Sequence, residues 1–455
     1  MKTVNPSTEK VIGEYAPDSP QDIEAKINSA AGAFQNWRKF STEARCDKLR
    51  AVAAALRKHR SDLARIMATE MGKPLTGGET EINKCAVACD HFVQNADALL
   101  MPTALAASGG KGYARYDPLG PILAIMPWNY PFWQVFRCGV AALAAGNVII
   151  LKHAPNVPAC AKAIDDMFRE AGFPAGVFTS LRIDDNAVVQ KLCSHPAIAA
   201  VSLTGSEKAG SAVASTAGGA LKKTVLELGG SDAFIVLKDC DVEFAAMSAA
   251  EARCSNTGQS CIAPKRFIVE ESVLAKFQDA LVVAMKRRKT GDPMDHATEV
   301  GPLARKDLMD TLQRQVDDSV KAGAKLLVGG QRATPVGFFY APTVLTDVRP
   351  GMPVFDEETF GPVAPVISAA NAAEAVRLAN QSRFGLGASI WTRNLAAAEE
   401  LAVDLDCGNV FINSVVRSDP RLPFGGIKNS GWGRELSEAG IKEFMNVKTV
   451  WVGKP

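Results

Sequence analysis

Histidine is scarce in this chain, with five in 455 residues, and its ten cysteines include no Cys-x-x-Cys pair. Zinc-finger and thioredoxin-like spacings are therefore missing. Cys85 and Cys89 stand one helical turn apart, but no histidine or second cysteine pair completes a site, so no metal is expected. The scattered cysteines suggest no disulfide framework and fit a reducing cytoplasm. An excess of charge of one sign is also lacking. The net charge of +2 argues against nucleic acid or a membrane surface as the main partner. The densest basic cluster, Lys286-Arg287-Arg288-Lys289, reads as a solvated helix end. No signal-peptide core follows Met1-Lys2-Thr3-Val4-Asn5-Pro6. The longest apolar stretch, around Val140 to Leu151, is broken by Gly146 and Asn147 and is too short for a bilayer. No Gly-x-Gly-x-x-Gly follows a predicted strand, so the usual dinucleotide fingerprint is absent.

What is present is α/β periodicity. Residues 20 to 100 read as helices, with apolar side chains recurring at three and four in Ile23, Ile27, Ala30 and Phe34 and again in Leu49, Val52 and Leu56. Pro102, Ser108-Gly109-Gly110 and Pro118 mark a break. Within it Gly112–Tyr116 alternates like a strand, as does Val447–Val452 near the C-terminal end. Two such isolated strands suit a small projecting sheet that a partner subunit could complete. From 120 to 230, apolar strands at Ile122–Ile125, Val148–Leu151, Val177–Ser180, Ile198–Leu203 and Thr224–Leu226 alternate with helices. That pattern predicts a parallel, doubly wound sheet buried on both faces. Asp232–Leu237 opens a second such run, extending to about residue 430.

Two stretches carry the chemistry: Glu227-Leu228-Gly229-Gly230 and Gly258-Gln259-Ser260-Cys261. They offer a carboxylate and a thiol, each beside glycine, a kit for covalent catalysis at a carbonyl carbon. A cysteine at a loop-to-helix junction would have its thiolate favoured by the helix dipole, and Cys261 is expected to sit in that setting. No motif brings a histidine to it, so a Cys–His dyad is not expected. A ligand of the first sheet should lie at the carboxyl ends of its strands. Thr204-Gly205-Ser206 there ends a strand and opens a helix, giving free N–H groups for a pyrophosphate. Lys152 ends another strand, within reach of a ribose hydroxyl or phosphate.

Several segments occur in a telling order. Pro127-Trp128-Asn129-Tyr130-Pro131 and Leu203-Thr204-Gly205-Ser206 precede the two stretches above, and Glu358-Thr359-Phe360-Gly361-Pro362 and Pro423-Phe424-Gly425-Gly426 follow them. This series resembles the NAD(P)-dependent aldehyde dehydrogenase superfamily from Asn5-Pro6 to Lys448-Thr449-Val450. Phe132–Arg137, Leu151–Ala154 and Ser418–Arg421 most resemble its short bacterial succinate-semialdehyde dehydrogenase branch. The resemblance implies an aldehyde dehydrogenase-like fold, with 1–99 and 119–229 as a cofactor-binding domain and 230–430 as a catalytic domain. It leaves 100–118 and 440–455 as oligomerisation strands of a homodimer or homotetramer.

The resemblance also implies roles. Cys261 would attack the aldehyde to give a thiohemiacetal whose oxyanion meets Asn129 and the Cys261 N–H. Hydride would pass to NAD or NADP, and Glu227 would activate water to hydrolyse the thioester. Trp128, Lys152, Pro155, Thr204, Gly205, Ser206, Leu228, Glu358 and Phe360 would line the cofactor. NAD-preferring members usually carry a glutamate where this chain has Pro155, so the choice between the two cofactors stays open. Arg137 follows Trp133 by four residues on an apolar helix and lies two turns beyond Asn129, where a guanidinium could hold a substrate carboxylate. Its alternative is a structural ion pair. Ser418 would be a second carboxylate donor, as in similar succinate-semialdehyde enzymes. Two other readings remain: a broad oxidiser of neutral aldehydes, which the aromatic Trp133 and Phe136 suit, and a non-oxidising thiol acyltransferase or esterase.

Overall fold

The computed structural model describes residues 1–106 and 110–453, so Ser108 and Gly109 of the expected break lie outside the described residues. Four helices occupy the first hundred residues: Pro20–Trp37, Thr42–Lys58, Arg60–Met71 and Leu75–Leu99. Ser19 and Ser41 cap the first two, each side chain accepting a backbone N–H three residues on. Their apolar stripes join the same core as the first sheet.

That sheet has six strands, in the order Gly431–Trp432, Lys223–Glu227, Ala200–Thr204, Pro121–Met126, Val148–His153 and Phe178–Leu181. All pairings are parallel except that of Gly431–Trp432, which runs antiparallel against Glu227 and Leu226. The pattern expected from sequence thus acquires a late edge strand, because residues 424–445 fold back onto the first core through Phe424, Leu436, Ile441 and Phe444. Pro121–Met126 pairs on one side with the strand next in sequence and on the other with Ala200–Thr204. The chain direction therefore diverges there and opens a crevice at the strands' carboxyl ends. The helix Trp133–Ala145 leaves that crevice buried along its whole length, which accounts for its nearly unbroken apolar sequence.

The second sheet orders Lys325–Val328, Thr343–Thr346, Val363–Ala369, Arg266–Glu270, Ala233–Val236, Gly387–Trp391 and Asn409–Ile412. Only its first strand is antiparallel. Alternate side chains feed separate cores: Ile235 on one face, Phe234 and Val236 on the other. A third, antiparallel sheet joins Met445–Gly453 to Gly110–Pro118 and Thr103–Leu105, with Thr449 opposite Ala114. It leaves Val447, Trp451 and Val452 exposed. No helix among the described residues is long and apolar enough to cross a membrane.

Candidate active site

The helix Val242–Cys254 runs into a tight turn in which Asn256 (φ 52°), Thr257 (φ 58°) and Gly258 (φ 74°) are all left-handed. Such a conformation costs on the order of 1–3 kcal/mol for a non-glycine residue, so neighbours must enforce it. Asn256 Nδ2 donates to the carbonyls of Asn129 (2.8 Å) and Gln259 (3.0 Å). Thr257 Oγ1 accepts from Gly301 N at 3.0 Å. Arg253 donates to the carbonyls of Gly258 and Pro264. Gly258 has no substitute, since a Cβ there would lie 2.3 Å from the Gly361 carbonyl carbon.

Beyond this turn comes Cys261, with some surface accessible. The chain then enters the strand Arg266–Glu270, not a helix. The expected helix-dipole setting is thus corrected. Instead, the Lys265 ammonium, itself buried, donates to the carbonyls of Ser260 (2.8 Å), Cys261 (2.7 Å) and Ala263 (3.1 Å). Burial pushes the Cys261 thiol up to about 12 against the opposing pull of Arg137 and Lys265. The resting side chain is a thiol, not a thiolate.

Glu227 ends its strand and is buried, with neither carboxyl oxygen hydrogen-bonded to another described side chain or backbone group. Arg137 Nη2 lies 3.9 Å from it. Desolvation outweighs that cation and raises the Glu227 carboxyl to about 8. The glycines that follow serve close approach. A Cβ on Gly230 would meet the Cys261 carbonyl at 2.7 Å, and one on Gly229 would meet Glu358 Oε2 at 2.5 Å. Gly230 N donates to Glu358 Oε1 at 3.0 Å, and Lys265 Nζ lies 3.6 Å from the same oxygen. Glu358 is thereby tied to both the carboxylate and the nucleophile loops.

Arg137 is a correction. Its Nε is ion-paired with Glu435, its Nη2 donates to Thr204 Oγ1 at 3.2 Å, and the Phe424 ring covers it at 4.8 Å. Paired backbone hydrogen bonds between Phe424 and Glu435 present both partners to it. With two carboxylates already around it, this guanidinium is not free to receive a substrate's. The Thr204 hydroxyl is turned inward to accept from Arg137.

Asn129 sits at the crevice. Glu81 Oε1 accepts the N–H groups of Phe132 and Trp133, each at 2.9 Å, while its Oε2 pairs with buried Lys73, which lies 3.7 Å over the Tyr130 ring. His153 Nε2 donates to the Pro131 carbonyl at 2.8 Å, joining this turn to the Lys152 strand. Asn129 Nδ2 donates to Gln259 O at 3.1 Å, which brings the amide to the nucleophile loop. Trp133 and Ser418 also come together: Trp133 Nε1 donates to Ser418 Oγ at 3.1 Å, and Lys84 Nζ donates to the same oxygen at 2.7 Å.

Sequence reasoning missed Lys84, Glu81, Lys265 and Glu435. For the first two a signal existed, since both occupy the core-facing spacing Glu81, Lys84, Cys85, Ala88 of an amphipathic helix.

The other positions expected at the cofactor have varied settings. Ser206 caps the helix Glu207–Gly219, and Gly205 N donates to Glu227 O at 3.0 Å, so the expectation of a free N–H at Gly205 is corrected. A Cβ on Gly205 would touch nothing closer than 3.6 Å, so neither packing nor φ requires glycine there; free space for a ligand backbone does fit it. Lys152 is the penultimate residue of its strand and partly buried, Pro155 is exposed, and both polar atoms of the Asn156 side chain are buried without a partner among the described residues. Trp128 and Phe360 meet edge to face, with centroids 5.8 Å apart. Leu228 packs on Gly210, where a Cβ would come within 2.6 Å. These features fit an extended phosphate-bearing cofactor entering at Gly205 and reaching Glu358.

Comparison with known proteins agrees with this geometry. The pattern of the aldehyde dehydrogenase family matches residues 1–450. A protein of Synechocystis sp. named probable succinate-semialdehyde dehydrogenase (NADP+) is 46% identical over 99% of each chain. A succinate semialdehyde dehydrogenase (NAD(P)+) of Escherichia coli is 45% identical over 99% of this chain and 97% of its own. The crystal structure of succinic semialdehyde dehydrogenase from Streptococcus pyogenes in complex with NADP+ superposes with a TM-score of 0.97 at 36% identity, covering 100% of both chains. Sequence, fold and site geometry therefore agree that the chain belongs to the aldehyde dehydrogenase family.

Proposed function

We propose that the protein oxidises succinate semialdehyde to succinate with NAD or NADP. The observation that carries this reading is the convergence of Asn129, Glu227 and Glu358 on the loop that holds Cys261. Cys261 Sγ attacks the aldehyde carbon as its proton passes to water in the site. Asn129 Nδ2 and the Cys261 N–H donate to the oxyanion that forms, each such donor being worth about 3 kcal/mol. Bound NAD or NADP supplies the hydride acceptor. Glu227 then takes a proton from water, and the hydroxide releases the acid from the Cys261 thioester.

Cofactor residues in this reading are Trp128, Lys152, Pro155, Gly205, Ser206, Leu228, Glu358 and Phe360, with the backbone of Thr204. The lack of a carboxylate at Pro155 removes a charge that would repel a 2′-phosphate. Residues 1–99 and 119–229 hold the cofactor, and 230–430 supply the nucleophile. The strands within 100–118 and 440–455 join subunits into a homodimer or homotetramer. Ten unpaired cysteines suit a cytoplasmic setting.

Engagement of Arg137 by Glu435 and Glu227 favours a second reading, a broad oxidiser of neutral aldehydes. A steady-state panel of succinate semialdehyde and butyraldehyde with both cofactors separates the two. The expected result is a kcat/KM for the semialdehyde roughly 30-fold or more above that for butyraldehyde. Equal values would overturn the proposed substrate and leave the broad reading standing.

A further inference from the structure

A cavity of about 660 Å³ opens beside the nucleophile loop and is lined by Lys84, Tyr130, Asn256, Ile262, Val416 and Arg417. Lys84 comes from the helix Leu75–Leu99 and places a largely buried ammonium in the cavity wall. Among the described residues no carboxylate forms an ion pair with it. Glu81, one turn earlier, is committed to Lys73 and to the N–H groups of Phe132 and Trp133. The ammonium lies 4.1 Å over the Trp133 ring and donates once, to Ser418 Oγ at 2.7 Å. Ser418 Oγ also accepts from Trp133 Nε1, so its own hydroxyl hydrogen is free to donate. Glu81 and Asp419 attract it only from beyond ion-pair distance, so the desolvated cation lacks a paired anion, and its complement is a negative group that arrives with a ligand.

We propose that Lys84 is the specificity residue that receives the distal carboxylate of the substrate, with the Ser418 hydroxyl as its partner donor. This assignment rests on the semialdehyde reading above and moves the carboxylate site from Arg137 to Lys84. Two of the ammonium's three N–H groups remain to meet one carboxylate oxygen, and the Ser418 O–H meets the other. The Trp133 ring holds the lysine chain in place by a cation–π contact. Burial lowers the Lys84 ammonium to about 8, the direction expected of a cation waiting for its counter-charge.

The test compares wild type, Lys84→Met, Lys84→Gln and Lys84→Arg on succinate semialdehyde and butyraldehyde. Lys84→Met and Lys84→Gln are expected to lose roughly 30-fold or more in kcat/KM for the semialdehyde, chiefly through KM. Butyraldehyde oxidation should stay within about 3-fold, and Lys84→Arg should recover part of the semialdehyde rate. Inhibition of butyraldehyde oxidation by added succinate should weaken in parallel in Lys84→Met. Retained semialdehyde preference in Lys84→Met, or equal losses on both aldehydes with unchanged succinate inhibition, would overturn the assignment. Absence of any preference in the wild type would instead refute the substrate reading on which it rests.

Discussion

The Nε of Arg137 presses against the carboxylate of Glu435 in a space closed to water, and Glu227 stands on the far side of the same guanidinium. The general base proposed for thioester hydrolysis thus shares its cation with a second, structural carboxylate. Burial is the main reason that Glu227 remains hard to ionise although a guanidinium is close by, and the Glu435 carboxylate adds to it.

Removing the shared cation should therefore damage the fold as well as the chemistry. Arg137→Met leaves two buried carboxyls facing one another, and breaking such a pair costs about 3–5 kcal/mol. Urea denaturation should register a loss of that size, with activity falling alike on succinate semialdehyde and butyraldehyde. The double variant Arg137→Met/Glu435→Gln should be less destabilised than the single one. A selective loss on the semialdehyde, with stability intact, would return the carboxylate site to Arg137.

Cys261→Ala should abolish NAD(P)H formation with every aldehyde, since the other nine cysteines lie outside the convergence of Asn129, Glu227 and Glu358. Cofactor affinity, followed by fluorescence titration, should stay within about 3-fold, because the thiol forms no part of the proposed cofactor surface.

The pH dependence follows from Glu227. Its carboxyl is raised to about 8 by burial, so at lower pH it is protonated and cannot take a proton from water. Turnover should rise as the pH passes through about 8, and stopped-flow traces below it should show a burst of NAD(P)H followed by a slow phase. Glu227→Gln should keep the burst at all pH values and lose the rise. A pH profile unchanged in that variant would remove Glu227 from hydrolysis.

Lys265 fixes three carbonyls around the nucleophile and lies beside Glu358. Lys265→Met orphans those carbonyls, at about 1–3 kcal/mol for each that finds no other partner. The variant should lose at least roughly tenfold in kcat with little change in aldehyde KM. Its Cys261 should also alkylate with iodoacetamide at an altered rate. Unchanged kcat and alkylation would make Lys265 a packing residue only.

Pro155→Glu should shift the kcat/KM ratio toward NAD, because a carboxylate placed there repels a 2′-phosphate. An unmoved ratio would mean that the segment from Lys152 to Pro155 does not read the ribose.

The central strands of the first sheet were legible because they are short apolar runs buried on both faces, and Val148–His153 and Ala200–Thr204 are good instances. The nucleophile and carboxylate loops were legible because glycine is needed at Gly229, Gly230 and Gly258 for backbone approach. What stayed hidden depends on distant pairing. No local pattern says that Glu435 will meet Arg137 some 300 residues earlier, or that Lys84 will reach Ser418, because both contacts are made only when the chain returns to the first core. The short strand Gly431–Trp432 is similarly invisible, being two residues whose pairing with Glu227 is set by that return. The misjudged setting of Cys261 has a local cause. The left-handed turn before it ends a helix, and the residues after it lead into a strand.

That late return of the chain bears on biosynthesis. A ribosome delivers Cys261 and Glu227 long before Ser418, Gly431 and Glu435, and domains tend to fold as they emerge. A nascent or truncated chain ending near residue 410 would carry the thiol and the base. It would lack the edge strand against Glu227 and the counter-ion of Arg137. Competence therefore arrives only with the segment beyond residue 410, and fragments that stop short of it should be inert toward aldehydes in the cell.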